Sequence, residues 1–158
     1  MASSSRLTIV QVLVLLVLLL AAVPAGAHLF ELLNKMALPP DQYMTVQRIY
    51  RGWALFGVVI FAALALTLTH AYLARRNAPA LFWSLAAFLA ILITQIVFWT
   101  WTYPVNVATE NWSVMPQAFE EGRAQWEYSH AANAVITLCA FVFMGLAIFA
   151  TRPIVRDR

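Results

Sequence analysis

The chain has 158 residues, of which 63% are hydrophobic and 11% are charged, and its mean hydropathy is +0.76. This composition excludes an ordinary soluble domain, in which about a quarter of the residues are charged. A net charge of +3 and a pI near 9.4 are compatible with nucleic-acid binding. However, the basic residues lie at the ends of apolar runs rather than on one polar face, so we expect no nucleic-acid partner.

Four long apolar runs follow one another, at about residues 7–26, 53–75, 79–101 and 130–151. A helix needs roughly 20 apolar residues to cross a hydrocarbon core about 30 Å thick. Lipid offers no hydrogen-bond partner to an open strand edge, so the runs are predicted to be helices. We therefore predict an all-α fold, a single membrane domain over residues 1–158 built as a bundle of four transmembrane helices.

The first run begins after Arg6 and ends near Pro24, where Ala25-Gly26-Ala27 has the small residues of a secretory cleavage site. The apolar run is long for a signal peptide, and the basic segment before it is weak. We therefore expect this run to be retained as a membrane helix. Cleavage after Ala27, which would make His28 the first residue, stays an alternative.

Two connections of about 30 residues follow the first and third runs, whereas only residues 75–78 separate the second and third. The short loop predicts that both long connections lie on the same side of the membrane. Helix-favouring sequence runs from Tyr43 to Trp53, and again onward from Pro116. Both long connections are therefore predicted to be partly helical and to cap the bundle.

The basic residues indicate the orientation of the helices. The N-terminal segment, the short loop and the C-terminal tail contain six: Arg6, Arg75, Arg76, Arg152, Arg156 and Arg158. The two long connections contain four: Lys35, Arg48, Arg51 and Arg123. By the positive-inside rule, both termini are cytoplasmic and both long loops face outward. We expect a multi-pass protein of the bacterial plasma membrane.

Two short polar clusters flank the first and fourth runs. His28 and Glu31 follow the first run, and Glu127 and His130 precede the fourth. Each pair is separated by three residues, which places both side chains on one face of a helix. The predicted topology brings the two pairs to the same depth, so these four residues are the candidate catalytic or metal-binding residues.

Several interpretations of these clusters stay open. Two histidines and one or two glutamates can hold a single metal ion, as in simplified carboxylate-bridged bundles. The same groups can act as an acid and a base without a metal, or form a hydrogen-bonded clasp between helices. A haem held by His28 and His130 is a further alternative. We expect either no cofactor or one metal ion.

Polar residues continue from the second cluster into the fourth run. Asn133 and Thr137 follow His130 at helical spacing, and Gln95 in the third run is placed to meet them. Polar side chains are costly in lipid, so this stripe is predicted to face protein. It indicates a polar pocket that opens outward.

Several segments of the chain resemble the anthrone oxygenase-like family of small four-helix membrane proteins. The resembling segments are Ala27–Glu31, Ile49–Trp53, Tyr103–Asn106, Asn111–Trp112 and Trp126–Asn133. Members studied in polyketide pathways oxidise an anthrone to an anthraquinone without a bound organic cofactor. The resemblance implies an oxidoreductase and carries the family motif to seven residues here: His28, Glu31, Asn111, Trp112, Glu127, His130 and Asn133.

This resemblance suits a base-initiated oxidation. An anthrone is acidic at its benzylic carbon, so His130, oriented by Glu127, is predicted to remove a proton and leave an enolate that reacts with oxygen. The predicted substrate-binding residues are Asn111, Trp112, Trp126, Asn133 and Gln95. The expected partners are the lipid bilayer and a lipophilic small molecule, and a homo-oligomer is an open alternative. The competing interpretation is a non-catalytic membrane subunit.

Overall fold

A computed structural model of the chain describes residues 2–152. They form helices and no strands: α1 Ala2–Met36, α2 Pro40–Gln47, α3 Phe56–Leu73, α4 Ala78–Val97, α5 Tyr103–Ala108 and α6 Phe119–Ala150. Four stretches are long and apolar enough to cross a membrane: Ser5–Met36, Trp53–Leu73, Ala78–Ala108 and Phe119–Ala150. The predicted all-α bundle with four membrane-spanning helices is confirmed.

The long helices extend beyond their apolar runs. α1 has 35 residues and passes through Pro24 to Met36, beyond the predicted membrane span of about residues 7–26. At 1.5 Å per residue it is about 52 Å long, more than a hydrocarbon core of about 30 Å. α6 begins at Phe119, close to the helix start predicted near Pro116, and so includes the polar residues before the fourth apolar run. The length of an apolar run reflects the thickness of the bilayer core. These helices are longer because they continue through polar residues until the chain turns.

The third span also differs from its prediction. The third apolar run was predicted to end near residue 101, but a π-helical turn over Phe98–Thr102 leads directly into α5, which has Pro104 in its first turn. Proline has no backbone N–H, but an N–H in the first turn of a helix has no partner within the helix. Pro104 therefore removes no helical hydrogen bond at this position. The chain therefore stays helical as far as Ala108.

The four long helices form a closed ring in which α1 contacts α3 and α6, and α4 contacts the same two helices. Small side chains dominate the contacts in the centre of the bundle, which lets the helix backbones approach closely. The buried core consists of Val14, Leu18, Ala63, Ala87, Ala90, Ile91, Ala140, Met144 and Ala147. Large apolar side chains such as Phe61 and Phe149 point outward, as expected of a surface solvated by lipid.

One end of the bundle, where the short loop lies, is tied by hydrogen bonds. Buried His70 of α3 lies 2.8 Å from the Ser84 hydroxyl, which in turn donates to the Ala80 carbonyl at 2.6 Å. Because the serine proton is used there, the imidazole Nδ1 is the donor to Ser84. Gln11 of α1 contacts His70 Nε2 at 3.5 Å and donates to Thr151 at 2.9 Å. His70 is thus a satisfied structural residue.

We predict that Ser84→Ala destabilises the bundle by about 1 kcal/mol, because Nδ1 of the buried His70 ring loses its acceptor. Thermal unfolding in detergent measures this effect. Ser5→Ala, at an exposed position near the start of α1, is the matched control and should melt like the unsubstituted protein. Equal melting temperatures for the two variants would show that the His70–Ser84 bond contributes nothing to stability.

The opposite end of the bundle carries α2 and α5. The charge distribution predicts that it faces away from the cytoplasm, and it is called the outer end below. A topology reporter placed after Arg76 should therefore stay in the cytoplasm, and one placed after Glu121 should be exported. The same location for both reporters would contradict the arrangement. Arg156, Asp157 and Arg158 lie outside the described residues.

Candidate functional site

The two long connections fold over the outer end and insert aromatic side chains between α1 and α6. Tyr43 of α2 is fully buried, and its ring lies 5.2 Å from Trp112 and 5.7 Å from Phe119. Trp126 of α6 contacts Trp112 from below, with ring centroids 5.6 Å apart. The predicted caps are therefore present, and they form a second apolar core above the membrane helices.

An unusual turn presents Trp112 to this core. Glu110, Asn111 and Trp112 all adopt positive φ angles, of 47°, 55° and 65°. This region costs non-glycine residues energy, and local bonds stabilise it here. The Trp112 amide donates to the Thr109 hydroxyl at 3.1 Å, and the Asn111 amide donates to the Asn106 carbonyl at 2.7 Å. Trp112 is thereby turned inward, and the side chain of Asn111 is exposed.

The two histidines meet at the centre of the outer end. The rings of His28 and His130 lie 4.2 Å apart with their planes at 31°. Trp126 contacts both rings, at 5.1 Å and 4.1 Å. Tyr50 lies 4.6 Å from the His28 ring, and Trp53 lies 5.7 Å from it. His28 is buried and His130 is half-buried, so the pair forms a histidine–aromatic cluster.

Glu127 does not orient His130 as predicted. It is fully buried and lies 2.6 Å from the ammonium of Lys35. The same oxygen, Oε1, accepts a hydrogen bond from the Tyr43 hydroxyl at 2.8 Å. Within residues 2–152, no hydrogen bond joins Glu127 to His130. A buried carboxylate gains more from a cation than from a neutral ring, and Lys35 therefore takes the place expected for the histidine.

Lys35 is the residue that sequence reasoning missed. It is only 3% exposed. Its Nζ lies 4.6 Å from the centre of the Tyr50 ring and 4.7 Å from that of Trp126, within cation–π range. The sequence placed Lys35 among the topology-setting basic residues. Its spacing of four from Glu31 and seven from His28 puts all three on one face of α1, which was the available signal.

Glu31 is the more exposed of the two glutamates around Lys35. It accepts a hydrogen bond from the Tyr50 hydroxyl and lies 4.0 Å from Lys35 Nζ. Its side chain is 37% exposed. The Tyr50 oxygen also accepts a bond from Lys35 at 3.3 Å. The two predicted glutamates are therefore linked through Lys35 and Tyr50 rather than to the histidines.

Both tyrosines of the cap are held in the protonated form. Burial raises the pKa of the Tyr43 hydroxyl above its usual value, and the neighbouring Glu127 carboxylate raises it further. Burial likewise raises the pKa of Tyr50, together with its bond to Glu31. A phenolate would be desolvated and placed beside a carboxylate, so each hydroxyl acts as a donor.

Arg123 of α6 fixes the cap over the site. It donates to the Leu38 carbonyl at 2.8 Å and pairs with Glu120. Its guanidinium lies 5.4 Å from the centre of the Tyr43 ring. These contacts join the α1–α2 connection to α6 and hold Tyr43 against Glu127.

The remaining predicted residues are more dispersed. The Trp126 indole N–H donates to the Asn106 side-chain oxygen at 2.8 Å, so this edge of the ring is held in place. Gln95 donates to its neighbour Thr94 at 3.2 Å, and within the described residues it makes no bond to Asn133 or Thr137. Asn133 is half-buried, with its side-chain oxygen buried and unpaired. The predicted stripe therefore faces protein, but Gln95 does not join it.

A shallow groove of about 440 Å³ runs along the lipid-facing side of α6 at this depth. Val97, Trp101, Tyr128 and Ser129 contribute to its lining. Neither His28 nor His130 lines this groove.

No family model, curated protein or solved structure matches this chain. The residues at the outer end are therefore the basis for inferring a function.

The donor set at the outer end does not suit a metal ion or a haem. Within residues 2–152, no group of three or more His, Cys, Asp or Glu side chains is placed to hold a metal. Glu31 and Glu127 are turned toward Tyr50 and Lys35. A haem ligated by both imidazoles would lie between them, and stacked rings 4.2 Å apart leave no space for it.

Proposed function

We propose that the protein is a membrane oxidoreductase that acts on a lipophilic aromatic carbon acid, of the anthrone type, at the outer end of the bundle. One observation supports this most. Six buried side-chain atoms among the described residues have no hydrogen-bond partner, and all belong to the outer half of the bundle: His28 Nδ1, Gln47 Oε1, Trp112 Nε1, Arg123 Nε, Glu127 Oε2 and Asn133 Oδ1. Native proteins leave few such atoms unpaired, so this set indicates a site that binds a polar-edged ligand.

The contrast with the other end of the bundle strengthens this interpretation. There, the buried polar side chains Thr67, His70 and Ser84 all have partners. A purely structural clasp is expected to look like that end, with its donors and acceptors satisfied. The non-catalytic subunit remains the second candidate, because Lys35 and Arg123 do join separate elements.

The proposed reaction starts with proton removal. His130 is half-buried beside Trp126 and pairs with no carboxylate among residues 2–152, so its ring nitrogen is the group that can accept a proton from an acidic benzylic carbon. The resulting enolate carries negative charge on its oxygen. Lys35 is the nearby cation that can stabilise that charge in a low-dielectric site.

Dioxygen is the proposed oxidant. The ring methylene becomes a carbonyl that keeps one oxygen atom, and the other leaves as water with the two methylene hydrogens. The substrate loses four electrons and dioxygen gains four. Trp53 is partly exposed, and its flat face is one on which an aromatic polycycle can stack.

The activity can be tested with purified protein in lipid nanodiscs and a hydroxylated anthrone. We expect dioxygen uptake above that of empty nanodiscs, with one dioxygen consumed per quinone formed. Absorption of the quinone and an oxygen electrode give the two rates. Uptake no faster than in empty nanodiscs would leave the non-catalytic subunit as the better account.

A further inference from the structure

A continuous chain of hydrogen bonds leads from the buried carboxylate to the edge of the protein. Lys35 Nζ lies 2.6 Å from Glu127 Oε1 and 3.3 Å from the Tyr50 oxygen. The Tyr50 hydroxyl in turn donates to Glu31. The Glu127 side chain is 0% exposed, and that of Glu31 is 37% exposed. The chain therefore connects an inaccessible acid to one that can exchange protons with water.

The inner end of this chain has an open acceptor. Glu127 Oε2 is buried and has no hydrogen-bond partner within the described part of the chain, and the same holds for Nδ1 of His28. Each helix around the chain contributes ionisable neighbours: His28 from α1, Tyr43 from α2, and Arg123 and His130 from α6. Arg123 is paired with Glu120, which leaves one ammonium against two carboxylates. The Lys35 ammonium is thus placed between the two carboxylates and can pass a proton from one toward the other.

We propose that Glu127, Lys35, Tyr50 and Glu31 form a proton relay between the buried centre and the water on the outer side. The inference goes beyond the proposed function, because the relay begins at Glu127 and not at His130, the group proposed to accept the substrate proton. The relay itself operates without substrate.

The transfer balances in two stages. Lys35 passes a proton to the Tyr50 oxygen while Tyr50 passes its own proton to the Glu31 carboxylate. Neutral Lys35 then takes the proton from protonated Glu127. The net change moves one proton from Glu127 to Glu31, which releases it to water. Because burial raises the pKa of Tyr50, the two transfers at its oxygen occur together and no tyrosinate forms.

Time-resolved infrared spectroscopy after an acid pH jump tests the relay in nanodiscs without substrate. The carbonyl stretch of protonated Glu127, assigned by its loss in Glu127→Gln, should rise in the unsubstituted protein. Tyr50→Phe keeps the ring but removes the hydroxyl, and it should slow that rise about tenfold or more, which corresponds to about 1.4 kcal/mol in the barrier. Glu31→Gln should slow the rise to a similar extent. If Tyr50→Phe does not fold, Glu31→Gln still tests the relay.

Glu121→Gln is the matched control, because Glu121 is an exposed acid on the same side. It should leave the rise unchanged. The relay is overturned if the Glu127 band is missing from the unsubstituted protein, or if it rises equally fast in Tyr50→Phe and Glu31→Gln. Since no substrate is present, a failed oxidation assay does not affect this result, and a failed relay leaves the oxidation assay intact.

Discussion

Turnover of a hydroxylated anthrone is expected to fall by about 10²–10⁴-fold in His130→Ala, the range typical of a lost general base. His130 is the half-buried member of the histidine pair, and its ring lies 4.1 Å from Trp126. Alanine removes the proton acceptor but leaves the Lys35–Glu127 pair in place. The rate of quinone formation in nanodiscs measures the effect.

His70→Gln is the matched control for this loss, since His70 is buried at the opposite end of the bundle. It should lower the melting temperature and leave the turnover rate of folded protein unchanged. His28→Ala combined with His130→Ala should be little slower than His130→Ala alone, because residues that act as a unit are not additive. Equal rates in His130→Ala and His70→Gln would remove His130 from the mechanism.

Loss of the Lys35 charge is the second large effect. Lys35→Met should destabilise the protein by about 3–5 kcal/mol, because it leaves a buried carboxylate without its cation. Glu127 is 0% exposed, so water cannot replace the lost partner. Glu127→Gln should be destabilising for the same reason, since it strands the ammonium of Lys35. Reversible unfolding in mixed micelles gives the free energies.

The double variant separates pairing from general packing loss. Lys35→Met with Glu127→Gln removes both charges, and the neutral pair should recover much of the stability lost in either single variant. Arg51→Met, at an exposed basic position of the same connection, is the control and should have little effect. Additive losses in the double variant would show that the two charges do not interact.

The comparison of single and double variants also tests whether Glu127 takes part in catalysis. Because Glu127 is paired with Lys35, an inactive Glu127→Gln variant could reflect lost structure alone. Activity should therefore be compared between Glu127→Gln and the double variant at equal amounts of folded protein. Activity that stays lost when stability returns would assign a chemical role to the carboxylate.

The sequence predicted the bundle because lipid imposes strong constraints. Apolar length, the four-residue loop and the charge distribution together specify four helices with both long connections on one side. Helical spacing then places His28 and His130 at one depth, and the structure brings their rings into contact. That part of the site depends on local periodicity, which a sequence displays directly.

The rest of the site depends on how the connections fold, which periodicity does not reveal. Tyr43 reaches Glu127 from the α1–α2 connection, which Arg123 ties to α6. Asn111 is exposed because it lies in a turn with three successive positive φ angles. No local sequence motif predicts this turn. The partner of Glu127 was mispredicted because the competing cation, Lys35, lies on another helix.

The most direct test of the account is oxidation of a hydroxylated anthrone under isotopically labelled dioxygen, with the product analysed by mass spectrometry. The account predicts that unsubstituted protein in nanodiscs yields a quinone with one labelled carbonyl oxygen, at a rate far above that of His130→Ala. Labelled quinone formed equally fast by the unsubstituted protein, by His130→Ala and by empty nanodiscs would contradict it.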